Sequence, residues 1–132
     1  MVSVIGTHGN AVNVQIKGIS EAIEAIRAKG KDILDGKDAK IFQASNMLQG
    51  EIQESIVGNR FEPKSVDTGN FGNSITVEKI KDLVYSVETD VEYAIFLEYG
   101  TVYISPRMHF RNSLARNRQA IIDIIKSKFN KV

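Results

Sequence analysis

From Lys31 to Val57 the chain reads KDILDGKDAKIFQASNMLQGEIQESIV. Its apolar positions Ile33, Leu34, Ile41, Ala44, Leu48, Ile52 and Ile56 are separated by steps near three, four and seven, which is one continuous stripe at helical period. Gly36 and Gly50 fall inside it, each costing about 1 kcal/mol relative to Ala. The stripe crosses both, so the reading is one long helix with one face to bury. The segments on either side must supply the surface that covers that face.

Upstream, Val12, Val14 and Ile16 alternate with Asn13, Gln15 and Lys17, a half-buried strand. Ser20 and Glu21 then suit the start of a short helix, Glu21 to Lys29. Downstream, Gly58 to Val66 is a polar loop around Pro63. Ile75–Glu78 and Leu83–Thr89 read as paired strands joined by a turn over Lys79–Asp82, with Leu83, Tyr85, Val87 and Thr89 inward and Ser86 and Glu88 outward. A final helix from about Phe110 to Phe129 buries Leu114, Ile121 and Ile125 and shows Arg and Lys elsewhere. The fold class is α+β: a small antiparallel sheet packed with a long helix in the N-terminal half and a C-terminal helix. With 132 residues and no linker or repeat, the expectation is one domain over 1–132.

Composition narrows the function. The chain has no Cys and only two His, His8 and His109, which excludes disulfides, thiolate chemistry and a His-rich metal site; no cofactor and no metal are expected. Met1–Asn10 lacks a basic n-region with an apolar run, and no stretch approaches the ~20 apolar residues of a membrane span. The expectation is a chain made in a cytoplasm with no membrane contact. The net charge of +1 argues against a dedicated nucleic-acid binder. That total hides a split: residues 67–102 carry seven acidic and two basic residues, residues 103–132 seven basic and one acidic. The two segments either neutralise each other within the fold or face each other between copies of the chain.

Three blocks carry the functional signal. Asp67-Thr68-Gly69 is shared with aspartic proteases, but there the Asp ends a buried apolar strand, whereas here a polar loop precedes it and Asn70 follows. Structurally, Asp67 can cap a single helical turn from which Phe71 and Ile75 point inward, with Ser74 beside them. The second block runs from Tyr93-Ala94 to Glu98-Tyr99-Gly100-Thr101: a short helix stopped at Gly100 in a left-handed conformation, with Glu98 among aromatics and in need of a partner, for which Arg107 and Arg111 are candidates. The third, Pro106 through Arg111, leads into the last helix, with Phe110 an anchor and His109 read as a surface or capping residue.

Taken together these blocks resemble the tail-completion (head–tail joining, or neck) proteins of long-tailed double-stranded DNA bacteriophages. That pattern is Asp-Thr-Gly, an apolar residue two on, Ser-Ile, Tyr-Ala to Glu-aromatic-Gly-Thr, then an arginine-bearing segment opening the last helix. The match is motif-bearing over 67–111 and departs at Met108–Ser113, where a second proline is missing, and at Gly72. The resemblance implies a structural, non-enzymatic virion protein present in the host cytoplasm before assembly. Copies would form a ring of six at the neck, between a head-side connector or stopper protein and the tail tube protein, with viral DNA passing through without sequence-specific binding. The motif residues Asp67, Thr68, Gly69, Phe71, Ser74, Ile75, Tyr93, Ala94, Glu98, Tyr99, Gly100, Thr101, Pro106, Arg107, Phe110 and Arg111 are then candidate interface residues. Glu98→Lys is expected to weaken the ring more than the fold, and segments 58–73 and 99–108 to order on assembly. The alternatives are a small dimeric aspartic protease using Asp67, and a nucleic-acid-binding module using the basic C-terminal helix.

Overall fold

The computed structural model describes residues 2–8, 11–17, 31–65 and 69–127, with side chains over 12–16, 36–65 and 69–127. Strands β1 (Val2–His8) and β2 (Ala11–Lys17) precede helix α1 (Lys31–Ile56). The one-turn helix α2 (Asn70–Asn73) leads into β3 (Thr76–Lys81) and β4 (Val84–Thr89), succeeded by α3 (Ala94–Tyr99) and α4 (His109–Lys126). The sheet is antiparallel with order β1-β2-β4-β3. The α+β reading with a long and a C-terminal helix holds. The strand read from Val12, Val14 and Ile16 is β2; the helix expected over Glu21–Lys29 lies outside the described residues, as does Phe129.

The stripe does what its period requires. Ile41, Ala44, Leu48, Ile52 and Ile56 are all at most 1% exposed. They pack on Val12, Val14, Ile16, Tyr85 and Val87 from the sheet and on Phe110, Leu114, Ile121 and Ile125 from α4. Neither glycine breaks the 26-residue helix. Polar side chains of α1 anchor the segment that enters the sheet. Gln49 Nε2 donates to the Ile75 carbonyl (2.8 Å) and Gln53 Nε2 to that of Gly72 (3.1 Å), holding α2 against the rod.

Two strand details differ from expectation. β3 continues to Lys81, so the hairpin closes through Asp82 and Leu83 alone, with a bulge between Lys79 and Lys81. Leu83 sits in that turn at φ +67°, which L residues rarely adopt, and is still buried. Asp38 of α1 holds it there: its carboxylate accepts the Leu83 N–H (3.0 Å) and the Tyr85 hydroxyl (2.7 Å), with Lys79 at 3.3 Å. Burial pushes the Tyr85 phenol up to about 12, and the hydrogen bond to Asp38 adds to it. Ser86, expected to face out, is buried, because β4 is flanked on both sides, with Gln15 and Glu78 directly opposite. β3 is the outer strand at that side of the sheet, and most of its side chains are exposed.

Candidate functional site

The three sequence blocks converge. Phe71 from α2 meets Tyr93 edge-on (centroids 5.8 Å) and the His109 ring edge-on (6.0 Å). The Ser74 hydroxyl bonds the Phe71 carbonyl and the Thr89 hydroxyl, both at 2.6 Å, joining α2 to the end of β4. Phe71, Ile75, Ala94 and Phe110 are core residues. Asp67 and Thr68 lie outside the described residues. The residue that starts α2 is Gly69, in the left-handed region at φ +84°.

Glu98 is only 3% exposed, and its partners are backbone amides instead of a guanidinium. The Phe110 N–H donates to Oε1 and the Arg111 N–H to Oε2, both at 2.9 Å. A helix start leaves such donors unsatisfied. The residue at the N-cap of α4, Met108, has no capping side chain, so Glu98 caps α4 from α3. Burial pushes the carboxyl up and the two amides draw it back, leaving it above the usual carboxylate range. The expectation for Glu98→Lys is corrected accordingly: a buried ammonium facing two N–H donors damages the fold itself.

Gly100 ends α3 with positive φ, but at φ 78°, ψ 174° it lies in a glycine-only region and not in the left-handed helical one. A Cβ there would sit 2.7 Å from the Ile104 carbonyl oxygen and 2.8 Å from Pro106 Cδ. The chain then folds over itself. The Thr101 N–H donates to the Ile104 carbonyl (2.8 Å), and the Thr101 Oγ1 accepts from the N–H groups of Tyr103 and Ile104. The Arg107 N–H reaches back to the Leu97 carbonyl (2.7 Å), and its guanidinium donates to the Lys64 carbonyl and the Ser65 hydroxyl, both at 2.8 Å. These bonds tie the 99–108 segment to itself, to Leu97 and to Lys64 and Ser65 within one chain.

A buried polar chain escaped the sequence reading. His109, at the first position of α4, is fully buried instead of being on the surface. Its Nδ1 lies 2.7 Å from Ser55 Oγ and its Nε2 2.6 Å from Ser65 Oγ. Ser55 donates its proton to Glu62 Oε1 (2.5 Å), so its oxygen accepts from a protonated Nδ1. Nε2 is then the acceptor for the Ser65 hydroxyl. Glu62 also takes Arg116 in a two-pronged pair (2.6 and 2.8 Å) and Asn112 (3.2 Å). Burial would raise Glu62, but the Arg116, Ser55 and Asn112 bonds outweigh it and hold the carboxyl at about 2. Burial pushes His109 down to about 4, so the ring is neutral at ordinary pH. Ser65 and Ser55 spend their protons on His109 and Glu62, and the array clamps the 58–65 loop between α1 and α4. Ser55 was a signal: it falls three residues after Ile52 on the buried stripe, where a hydroxyl needs a partner. Glu62, in a polar loop, gave none.

Among the described residues no group of His, Asp and Glu is arranged to hold a metal ion, and no helix is long and apolar enough to cross a membrane. Four ion pairs form among the described residues: Arg60–Glu51, Lys79–Asp38, Lys79–Asp82 and Arg116–Glu62. None joins the acidic segment 67–102 to the basic segment 103–132.

A family profile matches residues 20–100, and its description reads "Bacteriophage HK97-gp10, putative tail-component". No curated protein and no solved structure matches the chain. The profile spans more than half of the sequence and two of the three converging blocks, so the chain belongs to the HK97-gp10-like family of phage tail components, structural proteins of the virion that work in contact with other virion proteins.

Proposed function

We propose that this tail component acts at the neck, as a one-domain subunit over 1–132. Six copies close into a ring between the head-side connector and the tail tube, and viral DNA passes through it without sequence-specific contacts. The observation that carries the reading is the segregation of charge along the chain, with no ion pair between the two segments among the described residues. The chain's near-neutral total conceals these two segments, one acidic and one basic. A closed ring needs two different, complementary surfaces on every copy, and opposite charge supplies complementarity and register. A net charge of +1 suits a channel that lets DNA slide.

The test is genetic and structural at once. Particles made without this chain should accumulate as DNA-filled heads beside separate, complete tails, and adding the purified protein should join them. Heads already joined to tails in its absence would refute a neck role.

A further inference from the structure

Ten large apolar side chains are exposed among the described residues, and six of them, Tyr93, Phe96, Tyr99, Val102, Tyr103 and Ile104, come from one stretch of chain. Tyr93, Phe96 and Tyr99 recur every three residues, forming one row on α3 away from the buried Ala94 and Glu98. The row runs on into the turn after Gly100, where Val102 and Tyr103 are each 94% exposed. Phe61, 93% exposed, belongs to the neighbouring loop, which Arg107 ties to the turn through the Lys64 carbonyl. A cleft of about 320 Å³ between Pro63 and Tyr103–Arg107 separates the two.

The backbone of this turn is tied to itself: Thr101 bonds three backbone groups within it, and Gly100 approaches Ile104 and Pro106 closely. Apolar side chains presented to water on such a turn are costly in a lone chain and available to a partner.

The strip is also electrically polarised. At its α3 start stand Asp90 and Glu92, both exposed, with Glu88 and Glu78 behind them, and none of the four is in an ion pair among the described residues. The crowding has an electrostatic signature: burial raises the Glu88 carboxyl, and the nearby Glu78 and Asp90 raise it further. At the other end the Arg111 guanidinium lies 5.2 Å over the Tyr99 ring, and Arg107 closes the turn. Stacking this strip on itself in parallel would set like charges together; two-fold antiparallel pairing and head-to-tail stacking both set opposites together, and only the second leaves each copy an end free for the next.

We infer that the strip is the copy-to-copy contact: the basic Val102–Tyr103 turn of one copy seats on the acid-rimmed Tyr93–Phe96 end of the next. This rests on the ring reading and names the surfaces that would close it.

Sedimentation velocity of the full-length chain, over a concentration series at low and high salt, tests it with Tyr103→Ser and Phe96→Ser. Both side chains are exposed, so thermal melts should match wild type. Each variant alone should self-associate at least about tenfold more weakly. Their equal mixture should give a heterodimer that grows no further, because each copy keeps one intact end. Four results would overturn the contact: a wild-type chain monomeric at every concentration, a wild-type chain that stops at a dimer, either variant assembling normally, or a mixture that restores nothing. So would weakened binding of Tyr103→Ser to another virion protein with self-association intact. None of these touches the neck role, which stands or falls on whether particles lacking the chain leave heads and tails apart.

Discussion

Acidification should loosen this protein well before ordinary carboxylates titrate, and His109 is the reason. In the folded chain burial holds the ring neutral down to about pH 4, while in the unfolded chain it takes up a proton at the ordinary 6.5. Between those values the unfolded state binds the extra proton, so stability falls as pH falls. The loss works out at about 2 kcal/mol between about pH 7 and about pH 5, approaching about 3 kcal/mol below pH 4. That is a large part of the stability of a domain this size. Urea unfolding monitored by circular dichroism measures it, with His8→Gln as background so that one imidazole titrates. Glu98 and Glu88, raised by burial, gain a proton first in the folded state and offset part of the loss near the carboxylate range. The decisive comparison is therefore with His109→Gln, which should be less stable at pH 7 yet show a flat profile from pH 7 to pH 5. Equal slopes in the two proteins would refute the buried, neutral ring. An NMR assignment of the ring proton to Nε2 would leave the ring neutral but refute the hydrogen-bond directions, because the bond from Nδ1 to Ser55 requires the other tautomer.

Glu62→Gln should cost about 3 kcal/mol in thermal or urea melts, because it strips the charge from an almost fully buried partner of Arg116. It should also remove the further loss of stability that wild type shows as pH falls from 4.5 towards about 2. Glu98→Gln replaces one acceptor oxygen with a donor facing an N–H, so about 2 kcal/mol should be lost with fraying at the start of α4, visible as faster amide exchange at Phe110 and Arg111. Gly100→Ala should cost about 2 kcal/mol or more, since it combines a glycine-only conformation with a 2.7 Å contact; an unchanged melting temperature would mean the turn is not packed this tightly. Ile52→Ala, in the middle of the stripe, should cost about 2–5 kcal/mol by the usual scale for a core truncation, read from the same melts.

Periodicity made most of the architecture legible. The α1 stripe, the alternation of β2 and the inward set of α4 each repeat over enough residues for one face to be unmistakable. The miss at Leu83 came from a side chain that looks like a strand residue but occupies a turn only because Asp38, 45 positions away, holds its N–H. β1 carries apolar residues without a clean alternation, and its pairing with β2 across a bulge is a tertiary fact. At the candidate site the three blocks were visible as motifs, but their division of labour was not. Glu98 reads like an interface carboxylate until its two amide donors are seen, whereas Tyr93 and Tyr99, named beside it as interface candidates, are exposed. Apart from Ser55, the His109 array gave no sign in the sequence, because its bonded partners lie 7 to 54 positions apart with no spacing rule among them.

The outer strand of the sheet has a consequence for assembly. β3 ends in a free row of backbone groups, and any such row is a template onto which another strand can add without limit. Here that margin carries Lys81 and a kink in the ladder beside it, which repel or misalign an incoming strand, while Lys79 is held by Asp38 and Asp82. The ring proposed above must stop at a fixed number of members, and a joint that never stops would work against it. The charge and the kink act as a terminator on this side of the sheet.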